Sequence, residues 1–141
     1  MKHLLIAVSL VLSLCSATTT AEELFSVSTS GVLFKDSITV EVFDDPTISG
    51  ISCYIALPDK ALSFEDQTDT SLACRQVGPI DIKTLRSQDD IFSRAKGIFF
   101  KAMRVDRYYD EKRQVLVYLS YTKKMSGDNA ASSISVVSLH E

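Results

Sequence analysis

The 141-residue chain is 45% hydrophobic and 23% charged with a formal net charge of −3, the composition of an ordinary single-domain globular protein. Its mild acidity argues against nucleic acid, which calls for a basic face. Five glycines, no P-loop and no G-x-G-x-x-G leave little with which to cradle phosphates, so nucleotide enzymes are disfavoured.

The N-terminus reads as a targeting segment. Lys2 and His3 precede an apolar run, Leu4 to Leu14, and then small and hydroxylic residues as far as Ala21, the pattern of a secretory signal peptide over residues 1–21. That run is too short to span a bilayer, and no later stretch approaches the roughly 20 apolar residues of a transmembrane helix. Cleavage after Ala21 leaves residues 22–141 as one domain with a net charge of about −4, since Lys2 departs with the leader. Leu12-Ser13-Leu14-Cys15 offers a rival, a lipobox, but Leu14 stands where the lipoprotein peptidase requires a small residue.

Loss of the leader removes Cys15 and leaves Cys53 and Cys74, an even number in an oxidising destination, which reads as a disulfide. The alternative is a redox-sensing pair. The bridge would close a loop of about 20 residues, for which chain entropy gives about 3 kcal/mol. The remaining histidine is His140, beside the C-terminus. A Ser-His-Asp triad or a His-rich zinc site would therefore rest on a penultimate residue, and neither a metal nor a cofactor is expected.

In chain order, Ile38-Thr39-Val40-Glu41-Val42 alternates as a strand, with 38, 40 and 42 expected inward and Thr39 and Glu41 in water. Asp44-Asp45-Pro46 stops it, and Ser49-Gly50 turns the chain back. Ile51 to Leu57 is the next strand, with Cys53 on the inward face beside Ile51, Ile55 and Leu57. Residues 58–71 read as a polar loop with at most a short helix between Lys60 and Asp66. A strand resumes at Cys74, breaks at Val77-Gly78-Pro79-Ile80, and gives way to one or two helical turns between Asp81 and Gln88, with Ile82 and Leu85 on one side.

Between Gly97 and Thr122 two apolar, β-branched and aromatic runs flank Asp110-Glu111-Lys112-Arg113, a long hairpin. Alternation puts Arg104, Asp106 and Tyr108 on one face and Lys101, Met103, Val105, Arg107 and Tyr109 on the other. Val115 to Leu119 lacks a polar break and reads as a central strand covered on both faces. Lys123 to Ala131 is a loop, and Ile134 to Leu139 a last strand left half exposed by Ser133, Ser135 and Ser138. Seven or eight strands with little helix predict a mainly β domain, an antiparallel β-sandwich or incomplete barrel with one or two short helices and one disulfide.

Several segments taken together carry a family resemblance. Val40-Glu41-Val42-Phe43-Asp44-Asp45-Pro46, Cys53-Tyr54, Cys74-Arg75-Gln76-Val77-Gly78-Pro79-Ile80, Arg107-Tyr108-Tyr109-Asp110 with Lys112-Arg113, and Tyr118-Leu119-Ser120-Tyr121 resemble the CreA family of bacterial exported proteins, in order and spacing. The resemblance implies a periplasmic protein of Gram-negative bacteria with one disulfide, named for catabolite regulation, and carries over no catalytic residues. Its maturation would then involve the periplasmic disulfide-forming machinery. The segment between the cysteines is shorter here than the Gly-rich stretch of the family.

Two function classes follow. The favoured one is a non-enzymatic binding or accessory module that presents a sheet face or loop to a protein or to a small anionic ligand. Arg104, Arg107, Tyr108 and Tyr109 supply guanidinium forks and stacking rings for such a ligand, and Asp44 and Asp45 stand at a strand end. The competing class is a hydrolase or isomerase using Asp44, Asp45 or Asp106 with Arg107 or Tyr108 as electrophilic partner, which requires two carboxyl groups converging in a cleft. Against both stand plainer readings: Asp before Pro starts a turn by bonding its own backbone, and hairpin charges form cross-strand ion pairs. Mass spectrometry of protein recovered from the periplasm is expected to show a chain starting at Glu22 that gains two hydrogens on reduction; free thiols at Cys53 and Cys74 before reduction would refute the bridge.

Overall fold

Alternation along the chain produces strands that stack into two layers. The computed structural model describes residues 19–31, 35–59, 70–96, 101–123 and 132–139. Within them β1 (Glu22–Ser30), β2 (Asp36–Asp44), β3 (Ile51–Asp59) and β4 (Ser71–Gln76) form one antiparallel sheet, and β5 (Gln88–Lys96), β6 (Lys101–Asp110), β7 (Val115–Lys123) and β8 (Ser132–Ser138) form a second, each sheet in sequence order. The two are not closed into a barrel, as an antiparallel sandwich or incomplete barrel requires. Among the described residues no helix is long and apolar enough to cross a membrane.

The inward faces interlock in one hydrophobic core. Ile51, Cys53, Ile55 and Leu57 of β3 are buried, as their alternation predicts, against Met103 and Val105 of β6 and Leu116 and Tyr118 of β7. Cys53 and Cys74 are direct ladder partners of β3 and β4, and they are joined by the expected disulfide. The rings of Phe43 and Phe92 stack across the layers with centroids 4.2 Å apart.

The β4 and β8 edges meet at a seam. The Leu72 and Cys74 backbone amides donate to the hydroxyls of Ser133 (3.2 Å) and Ser135 (2.8 Å). Those serines thus satisfy edge amides that would otherwise be buried without acceptors. At the opposite side, β1 packs on no described element but β2.

Four expectations are corrected. Glu41 and Phe43 face the core, whereas Ile38, Val40 and Val42 lie on the outer face, because the register sets Phe43 opposite Cys53 and Glu41 opposite Ile55. Val115 to Leu119 is not covered on both sides: Leu116 and Tyr118 are buried, while Leu119 is exposed, and among the described residues no element packs on the outside of the second sheet. β8 is half exposed as expected, but through Ile134 and Val136: Ser133 and Ser135 turn with the buried Val137 toward the inside, where their hydroxyls accept from β4 amides.

The proposed helix at Asp81 to Gln88 is a single 3-10 turn, Ile82–Thr84, with Asp81 accepting from the Lys83 amide (2.9 Å). Ile82 points to solvent while Leu85 packs on the core, so no amphipathic face forms, and Gln88 already begins β5. The hairpin expected between 97 and 122 is present as β6 and β7, joined through residues 111–114. Residues 1–18 of the leader, the short helix between Lys60 and Asp66, residues 97–100 at the start of the hairpin region, most of the loop at 123–131 and His140 lie outside the described residues.

Replacing both Cys53 and Cys74 by alanine is expected to lower stability by about 2–4 kcal/mol in denaturant titration, because the bridge closes a loop that the unfolded chain would otherwise leave free.

Candidate functional site

Polar side chains of both sheets converge at one point, where the β2–β3 connection meets β6 and β7. Asp45 leaves the end of β2 and folds back on its own backbone. Its Oδ1 accepts from the amides of Thr47 (3.0 Å) and Ile48 (2.9 Å), the turn chemistry expected of Asp before Pro. The Asp45 amide closes the loop on the Ile51 carbonyl at 3.0 Å.

Gly50 completes that turn at φ +87°, and a Cβ there would lie 2.6 Å from the Pro79 carbonyl oxygen. Its own carbonyl accepts from the Val77 amide at 2.8 Å, so the 45–50 and 77–80 loops lock together. Gln76 reinforces the second loop by donating from Nε2 to the Gly78 carbonyl (3.0 Å), which makes Gln76, Gly78 and Pro79 turn residues.

Arg107 comes from the inward face of β6. Both its side chain and that of Asp45 are completely excluded from solvent, and Nη1 is bonded to both Asp45 carboxylate oxygens. Nε donates to the Arg86 carbonyl (2.9 Å) and Nη2 to Thr47 Oγ1 (3.0 Å) and Gln88 Oε1 (3.4 Å). Tyr118 of β7 donates its hydroxyl to Asp45 Oδ2 at 2.8 Å. Burial alone would raise the Asp45 pKa, but the bonds from Arg107, Thr47 and Tyr118 prevail, and its carboxyl is held below the ordinary value of 3.8. Burial first, and then the Asp45 charge, push the Tyr118 phenol far above its usual range.

This arrangement is saturated. The guanidinium and the carboxylate spend their bonding capacity on one another and on neighbouring main chain and side chains, which leaves a buried lock between the sheets.

The other candidate residues lie elsewhere. Asp44 is exposed at the end of β2 and accepts from the Ser52 hydroxyl (2.6 Å). Arg104 and Tyr108 occupy the outer face of β6, opposite to Arg107. Arg104 pairs with Asp90, whose amide donates to Asp106 (2.7 Å), the cross-strand ion pairing of the plainer reading. Tyr109 is half-buried against the core, and its amide donates to Ser87 Oγ at 3.0 Å. Asp45 is thus enclosed between the sheets, whereas Asp44 is exposed at the end of β2 and Asp106 lies on the outer face of β6.

Sequence reasoning missed three members of the lock. Tyr118 was findable: it alternates with Leu116 and Ser120 on the inward face, and a buried phenol needs an acceptor. Thr47 and Gln88 carried no signal, since their roles arise only when two loops distant in sequence are brought together. Among the described residues no three of His, Cys, Asp and Glu come together as metal ligands would.

A two-sheet antiparallel protein with one cross-strand disulfide and a buried acid-base-phenol lock is the class these features define. The model of the CreA protein family matches residues 24–141. Protein CreA of Escherichia coli strain K12 is 34% identical to this chain over 152 aligned positions, covering 96% of this chain and 94% of the relative. Protein CreA of the O6:H1 strain CFT073 and of O157:H7 match to the same extent. The chain belongs to the CreA family. No solved structure matches it.

Replacing Arg107 by methionine is expected to destabilise the fold by about 3–5 kcal/mol, since it strands a buried carboxylate, and Asp45→Asn combined with Arg107→Met should lose less than the single change. Because folding depresses the Asp45 pKa, its contribution is fully present above the unfolded value of 3.8 and disappears as pH falls through the lower folded value. Thermal midpoints followed from pH 7 downward should show an acid limb that is flatter in the double variant.

Proposed function

We propose that this chain is exported to the periplasm, loses its leader near Ala21, and works there as a non-enzymatic binding or accessory module of the envelope that docks a protein partner on a sheet face. The observation that carries this reading is the outer face of the second sheet. Tyr108, Val117 and Val136 form one row across β6, β7 and β8, and Leu119 and Ile134 form the next. Tyr108 is 62% exposed, Leu119 40%, Ile134 63% and Val136 55%. Solvent-facing strand positions are ordinarily polar, and contiguous apolar surface of this kind marks interaction sites.

The dispersal of Asp44, Asp45 and Asp106 supports the same choice over a carboxylate enzyme, as does the enclosure of Arg107. The Arg104, Asp90 and Asp106 cluster borders the apolar rows and supplies a charged rim of the sort that sets register at an interface.

A photo-crosslinking residue in place of Val136 in the exported protein is expected to trap one discrete partner, and Ile134→Asp should abolish the product while leaving the thermal midpoint nearly unchanged. An equal crosslink yield with Ile134→Asp would sink the assignment to this face.

A further inference from the structure

The first strand is attached to the sandwich in an unusual way. β1 touches β2 and no other described element, and Leu24, Phe25 and Val27 are 47%, 54% and 52% exposed. Two register shifts, between Glu23 and Phe25 and between Ser28 and Ser30, interrupt its ladder with β2. The ladder on the other side of β2, to β3, runs without a break from Ser37 opposite Asp59 to Asp44 opposite Ser52. β1 thus adds backbone hydrogen bonds to the sheet and little to the core.

Charge works against it as well. Glu23 of β1 is the register partner of Glu41 of β2, so two carboxylates stand on the same side of adjacent strands, Glu23 in solvent and Glu41 buried. Like charges in that position are destabilising. Glu41 is 4% exposed, and Arg94 of β5 bonds only its Oε1. Oε2 is buried with no hydrogen-bond partner. An acceptor in that state carries a full desolvation penalty, and the strand that covers it offers a second negative charge instead of a donor.

We propose that β1 is a displaceable strand, and that the β2 edge beneath it receives an extended peptide segment of a partner bearing Lys or Arg opposite Glu41. Such a segment keeps the main-chain ladder that β1 makes, as strand addition always does. It also replaces the Glu23–Glu41 conflict by an opposite-charge pair and brings the donor that Oε2 lacks. A second copy of β1 would satisfy the ladder equally well but would bring Glu23 with it, so charge selects a basic segment over self-exchange. The site is separate from the outer face of the second sheet, and its test does not depend on that surface.

The experiment is hydrogen exchange on the mature protein with two synthetic nine-residue peptides: the β1 sequence Glu22–Ser30 and the same sequence with E23K. In the free protein β1 amides should exchange at least about tenfold faster than those of the β2–β3 ladder. The E23K peptide should release β1 further, protect the β2 amides in a saturable manner, and bind at least about tenfold more tightly than the unmodified peptide, a preference that Glu41→Gln removes. In the intact chain Glu23→Lys should slow β1 exchange, a readout that survives even where Glu41→Gln fails to fold. Full protection of β1 in the free protein, no binding of either peptide, or equal binding of both would each overturn the proposal, the last in favour of exchange with a second copy.

Discussion

The ion pair of Asp45 and Arg107 is the constraint around which the rest is arranged. Two opposite charges withdrawn from water are tolerated only when every lone pair and every N–H finds a partner, and the neighbouring structure is shaped to supply them. The 45–50 turn delivers two amides, Arg86 ahead of β5 delivers its carbonyl, Gln88 at the start of β5 delivers its side-chain oxygen, and β7 delivers the Tyr118 hydroxyl. These groups come from both sheets and from loops separated by up to 73 residues in sequence, so the lock can form only when the two layers are in alignment. Apolar packing by itself tolerates sliding of one sheet over another, whereas bonds of defined direction do not.

Around that fixed end the two long sides of the sandwich are finished differently. Where β4 meets β8, serine hydroxyls cap the edge amides and the disulfide fastens β4 to β3. Along β2 and β5 the layers meet through the Phe43 and Phe92 rings and through Glu41 with Arg94, and β1 hangs beyond that line. Cohesion therefore falls from the β4–β8 seam toward β1. Local opening in proteins follows such gradients, with strands that bury few side chains separating first.

Much of the architecture was legible in the amino-acid sequence because period-two alternation and turn residues are local signals. The Ile51 to Leu57 strand, the inward Cys53, the Ser49-Gly50 turn and the hairpin around Asp110 to Arg113 all follow from residues close together in the chain. The errors have one physical origin. In β2 alternation marks Ile38, Val40 and Val42 as the inner face, and only pairing with β3 turns Glu41 and Phe43 inward in their place. In β8 the decision rests with β4, whose open amides draw the serines to the inside.

The lock was half legible for the same reason. The turn role of Asp45 is encoded by Pro46 beside it, and the inward face of Arg107 by its alternation with Met103 and Val105. Their meeting depends on how the sheets stack, which no local pattern contains.

A consequence for function lies in how the polar and apolar groups are distributed between inside and outside. The reactive-looking side chains, a carboxylate, a guanidinium and a phenol, are consumed in holding the layers together. The outer surface of the second sheet, where solvation would favour threonine, lysine or glutamate, instead displays a tyrosine, a leucine, an isoleucine and valines. An uncovered apolar sheet face is a liability for solubility, and an edge strand that pairs like charges is a liability for stability. Both features lower the fitness of the isolated domain as a folded object, and both become favourable once another chain is present to cover the first and replace the second. On the reading proposed above, association with another chain relieves both liabilities through the same physical asymmetry.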